Sequence, residues 1–412
     1  MRILVFIFLF CSLFAQANTI VVNSSSKIST IKKGVALAQD GDTVLVKKGV
    51  YKERLINMSK AIHIIGEGYP IIDGENETES IFAINAIDFS ISGFHFKNVA
   101  MSYTKEISAI FISNSKNFTI KDNVLENVFY GFIIQESRYG LIQNNKITGH
   151  AEDESTAGNG VHVWKSKHLR IEQNTVSGMR DGLYLEFLNK SFISNNTSKD
   201  NVRYGLHFMF SNNNEYHHNE FKNNGAGVAV MFSKFIKMHH NTFHFNWGSS
   251  SYGLLLKEIN DAEIHHNYFE QNTIAINIDG CSRINYQNNH FVRNGWAIKF
   301  TGGCYANIFN YNNFLSNSFD LSYNSRLNDN KFEANYWSEY TGYDLDKNDI
   351  GDIPYRPVKL FSYIVNRTPE TLILLRSLFV DIINFSEKVS PVFTPDELVD
   401  SKPIMHKIND QF

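Results

Sequence analysis

The chain has 412 residues, with 42 acidic and 39 basic side chains and a formal net charge of −3. That balance gives no electrostatic footprint for nucleic acid. The length suits one large domain or two.

The chain opens with Arg2, an apolar run over residues 3–14 and then Ala15-Gln16-Ala17. These are the positive start, hydrophobic middle and small-residue cleavage site of a secretory signal, which predicts removal of residues 1–17 and a mature start at Asn18. Cys11 lies inside the signal without the small residues that a lipid-attachment site places before it, so a lipid anchor is not expected. No later stretch spans a membrane free of charge, because the run 372–385 is broken by Arg376 and Asp381. A soluble protein working outside the cytoplasm is expected. The stretch "IKKGVALAQD", residues 31–40, has apolar Ile31, Val35 and Ala38 and stops at Gly41. It predicts a short amphipathic helix that caps the first coil of a repeat.

The repeat itself organises the rest of the chain. An Asn recurs at Asn123, Asn145, Asn174, Asn196, Asn219, Asn241, Asn267, Asn289, Asn312 and Asn330, usually in steps of 22 or 23 residues. A second Asn column stands at Asn201, Asn224, Asn246, Asn272, Asn294 and Asn317, and a Gly before alternating apolar residues forms a third signal. Each unit reads as short strands between Asn or Gly turns, with no 3.6-residue period long enough for a helix. Asn tolerates the left-handed turn conformation and can bond the Asn one coil above. The pattern predicts an all-β, right-handed parallel β-helix over residues 18–335, with an N-terminal cap and a partly helical C-terminal segment, 336–412. Residues 150–160, "HAEDESTAGNG", lengthen one repeat as a surface loop.

Alternation assigns the faces. Ahead of each first-column Asn, Ile171, Ile193, Tyr216, Met238 and Ile264 point inward, so His217, His239 and His265 point outward, with His218, His240 and His266 beside them at the turn. Six histidines in register have the look of a metal ladder, but neighbouring coils carry Lys121, Glu172, Gln287 and Asn310 there, so polar turn residues that recur because repeats duplicate are the favoured explanation. On the next strand "YGLHFMFS", residues 204–211, alternates with Leu206, Phe208 and Phe210 as the inward set. The outward columns then pair His162 with Trp164, Tyr184 with Glu186, His207 with Met209, Ala229 with Met231 and Leu255 with Lys257. His162, Glu186, His207, Met209 and Met231 thus gather imidazole, carboxylate and thioether on one face, a set that suits copper, Cu(I) above all, better than magnesium or calcium. An apolar contact surface with Met as filler accounts for the same spacing equally well.

Three further features stand apart from the columns. Cys281 and Cys304 lie one coil apart after a Gly each, a spacing that predicts a disulfide or a pair ready to form one, with two copper thiolates as the alternative. "DLDKNDIGD", residues 344–352, puts Asp344, Asp346 and Asn348 at alternating calcium-ligand positions, though Asp349 stands where a Gly belongs and the distant Glu is missing. From Pro369, Leu372, Leu375, Leu378, Phe379, Ile382 and Phe385 share one helical face. That face is expected to cover the last open coil, leaving Arg376, Asp381 and the tail 394–405 for a partner.

The strings "GNGVHVW", "RDGLYLEF", "YGLHFMFS", "GAGVAVMFS" and "SYGLLLKE" resemble the NosD proteins, which assist maturation of copper-dependent nitrous oxide reductase. So do "NYWSEYTGYDLD", "DIPYRPVKLFSYIV" and the long C-terminal string over residues 374–405. The resemblance implies a periplasmic β-helix that is an assembly factor for the reductase's copper cluster and not an enzyme. Implied partners are an ABC transporter's membrane subunit and its ATPase, nitrous oxide reductase and a copper-donating lipoprotein chaperone. It places the metal set on His162, Glu186, His207, Met209 and Met231. Two other classes fit the same face: a polysaccharide lyase or epimerase using Arg180, Asp181, Tyr184 and His207, and a passive scaffold that docks the reductase.

Overall fold

The computed structural model describes residues 17–102, 104–248, 251–322, 329–389 and 398–409. All but one residue of the expected leader lies outside them. The chain winds through three parallel sheets of 14, 12 and 13 strands; after the first strand, which pairs with the second, each strand pairs with the one three strands further along. A parallel pair needs a long crossover, and here the other two sheets of the coil supply it; twisted strands make such a crossover right-handed. Consecutive strands of the second sheet are β1 (Asn159–Trp164), β2 (Asp181–Glu186), β3 (Tyr204–Met209), β4 (Ala226–Met231) and β5 (Tyr252–Lys257). Val161, Leu183, Leu206, Val228 and Leu254 stack one above another in register and are fully buried, as alternation requires.

The turns are held by side-chain ladders. Each first-column Asn accepts a backbone N–H from the coil before: Asn196 N to Asn219 Oδ1 is 3.0 Å and Asn219 N to Asn241 Oδ1 is 2.9 Å. Its amide donates onward to the next rung, 3.0 Å in both cases, so buried turn groups that water cannot reach are satisfied. Two expectations need correction. Asn330 is not a rung of this ladder; it accepts from Asn307 in another, and the rung above Asn312 is Asn335. Phe210 is not core. It sits at φ 50° with 39% of its surface exposed, stacked between Phe187 and Phe232, because the turn breaks the strand's alternation there.

Cys281 and Cys304 are buried free thiols and not a disulfide. The Cys281 thiol accepts from Ile259 N and donates to the Leu256 and Asp279 carbonyls. The Ser211 hydroxyl does the same in an earlier coil, bonding Leu188 N and the Leu185 and Met209 carbonyls. The cysteine therefore stands in for a ladder serine, and burial pushes its thiol up to about 12, well away from reactive thiolate.

Both ends are capped. Helix α1 (Ile31–Leu37) is shorter than expected: Ala38 is already extended, while Gly41 makes the next turn at φ 90°. Thr30 caps its N-terminus, and the buried Glu53 carboxylate accepts from Ile31 N and Lys32 N at 2.6 and 2.9 Å. Gly34 faces the coil so closely that a Cβ there would meet Val22 at 2.6 Å.

At the other end the expected roles are exchanged. Asp400, fully buried, extends the Asn ladder by accepting from Asn335 N, the Asn335 amide and Trp337 Nε1 at 3.0, 2.9 and 3.0 Å. The tail bridges on to Phe332 and Tyr336 through Asp400 and Ile404. Helices α2 (Leu360–Arg367) and α3 (Leu378–Val389) do not cover that coil end. They lie against the second sheet's outer face, where Phe361, Val365 and Val380 pack on Ile274, Trp296 and Phe319. The face of Leu372, Leu378, Phe379, Ile382 and Phe385 is left exposed. Among the described residues no helix is long and apolar enough to cross a membrane.

Candidate functional site

The second sheet brings the two expected columns into register. His162, Tyr184, His207 and Ala229 stack in one, and Trp164, Glu186, Met209 and Met231 in the other. Met209 and Met231 are direct neighbours on adjacent coils. His162 and His207 are not, since the Tyr184 ring lies between them at 4.8 and 5.1 Å. Two coils separate these imidazoles by about 10 Å, too far to share one ion. The five residues therefore divide into a corner of His207, Met209 and Met231 with Glu186 beside it, and His162 beyond the tyrosine.

Of these, His162, Glu186 and His207 line a groove of about 640 Å³ together with Tyr130, Arg180, Tyr184 and Arg203, among others, while Met209 and Met231 lie outside its lining. His207 is its most unusual member. Only 7% of its surface is exposed, and neither ring nitrogen has a hydrogen-bond partner. Its nearest charge is Asp181, with Nδ1 4.0 Å from the carboxylate. That carboxylate is fully buried and committed elsewhere: Arg203 grips it with Nε and Nη2, and Tyr204 N bonds it at 3.3 Å. An imidazole held in place with both nitrogens unpaired keeps a lone pair for a ligand that the protein itself does not supply.

Burial depresses both groove histidines to about 4, with the Arg180 charge lowering His162 further and Asp181 only partly offsetting the effect at His207. Both rings are neutral, as a metal ligand must be. The sign of the shift makes stability depend on pH. Between 6.5, the ordinary imidazole value, and about 4, the unfolded imidazole binds a proton that the folded one refuses. Stability is therefore level above 6.5 and falls as pH drops through that window, by up to about 3 kcal/mol for each ring. Denaturant midpoints measured from about pH 8 to about 4 should show the fall, and His207→Gln should make it shallower.

Sequence reasoning missed Arg203, although its partner Asp181 stands 22 residues earlier, one coil away with opposite charge. It also missed Asn159, which accepts from Arg180 Nη2 at 3.2 Å and lies 3.4 Å from His162 Nδ1. The inserted loop 150–160 is tied to this groove, because Glu154 comes within 3.8 Å of Arg203. Of the residues named for sugar chemistry, Arg180, Asp181, Tyr184 and His207 do meet here, yet burial raises the Tyr184 phenol and Arg203 occupies Asp181. The calcium expectation finds no support. Asp344 accepts from Asn348 N and Asp349 N, and Asn348 turns its amide NH₂ toward Asp346, so the loop's oxygens serve its own turn. Among the described residues no three His, Cys, Asp or Glu side chains converge on one point.

The family model described as "Periplasmic copper-binding protein (NosD)" matches residues 35–153 and 147–342, most of the chain and all of the groove. The chain belongs to the NosD family. Among its NosD relatives, the "Probable ABC transporter binding protein NosD" of Pseudomonas aeruginosa is 25% identical over 395 residues, 90% of each chain. The protein of the same description from Stutzerimonas stutzeri is 29% identical over 122 residues, which span 29% of this chain and 28% of that one. Solved structures similar to this NosD chain include the Dettilon tailspike protein, with TM-score 0.57 and 12% identity, covering 71% of this chain and 66% of that one. The catalytic unit of an α-1,3-glucanase from Streptomyces thermodiastaticus reaches 0.58 at 12% identity, covering 74% and 65%. At that identity they show the β-helix alone.

Proposed function

We propose that this chain is a periplasmic assembly factor that receives and hands over copper for the cluster of nitrous oxide reductase, working beside an ABC transporter made of a membrane subunit and an ATPase. Copper is its cargo and not a resident cofactor. The observation that carries the reading is His207: a buried, neutral imidazole with both nitrogens unpaired, on the same strand as Met209 and beside the Met209 and Met231 pair. Thioether and imidazole together favour Cu(I). An exposed edge lets the ion leave, because Met209, Met231 and Glu186 are only partly covered. His162 and Arg180, across Tyr184, shape the rest of the groove and would meet the donor or acceptor protein, with the lipoprotein chaperone and the reductase as the partners that suit those roles.

Anaerobic competition of the full chain with a Cu(I) chelator tests this. Met209→Ala combined with Met231→Ala removes both proposed thioether ligands and is expected to weaken Cu(I) binding by more than about 100-fold, beyond the loss that follows removal of a group merely supporting a ligand. Equal affinity in the double variant sinks the copper reading. It would leave the scaffold alternative, in which the same face only docks a partner.

A further inference from the structure

On the first sheet, outside the groove, six histidines form two stacked columns. His217, His239 and His265 are parallel at 5.1 and 4.9 Å, and His218, His240 and His266 at 4.9 and 5.0 Å. Within each coil the two rings stand nearly perpendicular with their Nδ1 atoms 2.9 Å apart. All six are at least partly open to solvent.

The tautomers can be read from the outer contacts. His239 Nε2 lies 3.0 Å from a Glu215 carboxylate oxygen, which can only accept, so that nitrogen carries the proton and Nδ1 keeps its lone pair. His240 must then donate its Nδ1–H into that lone pair. One proton thus sits between two imidazole nitrogens, with a carboxylate behind the ring of the kind that orients metal-bound histidine. Moving the His240 proton to its outward Nε2 frees the second lone pair without any net proton loss. Two nitrogens 2.9 Å apart, each about 2.0–2.1 Å from an ion, subtend about 90°, the angle between neighbouring ligands in a tetragonal site.

The second column also departs from what its backbone favours. These positions have φ of 53° to 55°, and the coils immediately on either side place Asn195 and Asn288 in the same left-handed conformation, with Gln173 and Tyr311 in the coils beyond. Asn suits that conformation well. Three consecutive coils have His instead, each time beside another His.

We propose that this ladder is a second metal site, three stacked two-imidazole chelates that take a divalent late first-row ion, Cu(II) most tightly. With no third such ligand converging among the described residues, water fills the remaining positions, so binding is moderate and exchangeable. Like charges one coil apart repel, so the two outer pairs fill first, giving about two ions per chain. The ladder is independent of the groove, whose ligands differ in softness and lie on another sheet.

The test is Cu(II) titration of the full chain against glycine as a competing ligand, with electron paramagnetic resonance of the loaded protein. Imidazole nitrogen couplings are expected in the wild type. Two triple variants each leave one imidazole per coil and borrow residues from the protein's own repeat: His218→Asn, His240→Asn, His266→Asn, and His217→Gln, His239→Gln, His265→Gln. Gln287 holds the latter position in the coil after His265, and Gln143 holds it further back, beyond Glu172 and Ser194. Each variant should bind Cu(II) at least tenfold more weakly with an unchanged melting temperature. Wild-type affinity in either folded variant, or a wild-type spectrum without imidazole coupling, overturns the proposal. Cu(I) competition at Met209 and Met231 reads the groove separately, so failure of one reading is not failure of the other.

Discussion

A chain ending after Val389 is expected to lose its last coils and melt well below the full-length protein. Asp400 is the reason. It is the final rung of the Asn ladder, and without it the Asn335 backbone N–H, the Asn335 amide and the Trp337 indole N–H stay buried with no acceptor. Each such group costs about 1–3 kcal/mol. The truncation also removes the buried Leu398, worth about 2 kcal/mol, and the tail's backbone bridges to Phe332 and Tyr336. Asp400→Ala isolates the ladder contribution and should cost about 3–5 kcal/mol in denaturant unfolding. Asp400→Asn keeps an acceptor oxygen and should cost less. Because a solenoid's stability is a sum of nearest-neighbour contributions, the loss should appear first at the C-terminal coils. Hydrogen exchange over residues 290–337 would rise in the truncated chain while residues 43–99 stay protected. Uniform wild-type protection would mean that another segment caps the stack.

What was legible in the sequence was whatever the repeat wrote many times. A period of two along each strand and steps of 22 or 23 between coils placed Leu206 inside, His207 outside and Met209 beneath Met231, and the register bears out each of these. What escaped was written once. Asp400 caps Asn335 from 65 residues away and replaces Asn by Asp, so no column points to it. Phe210 continues the alternation in the sequence, but the strand has already turned, and the ring leaves the core for the Phe187 and Phe232 stack. Cys281 and Cys304 carried a pairing signal in their spacing, yet each thiol bonds the backbone, Cys281 as a ladder serine does. In the groove, the ligand types were legible but their division was not: that Tyr184 separates His162 from His207 comes from register, and that Arg203 immobilises Asp181 comes from a contact between coils.

The exposed face of the C-terminal helices leads to the other large effect. Ile373 is 88% exposed, Leu378 74% and Phe385 69%, with Phe379 and Ile382 beside them. An exposed apolar patch of this kind marks an interaction surface. Its opposite side is anchored, since Val380, Phe361 and Val365 hold the helices on the second sheet, the sheet that carries the groove further along. A partner seated on the helices would therefore share a sheet with the face proposed to exchange copper, which suits the proposed transporter membrane subunit. Replacing Ile373, Phe379, Ile382 and Phe385 with Asp removes no fully buried side chain, so melting should change little. Apolar anchors at such interfaces are each worth more than about 1 kcal/mol. Losing four should weaken association by about 1,000-fold, which is enough to abolish co-purification with the membrane subunit. The same variant should keep its Cu(I) affinity, because His207, Met209 and Met231 are untouched. Continued co-purification would move the dock onto the coils, with the exposed Phe187, Phe210 and Phe232 stack as the next surface to change.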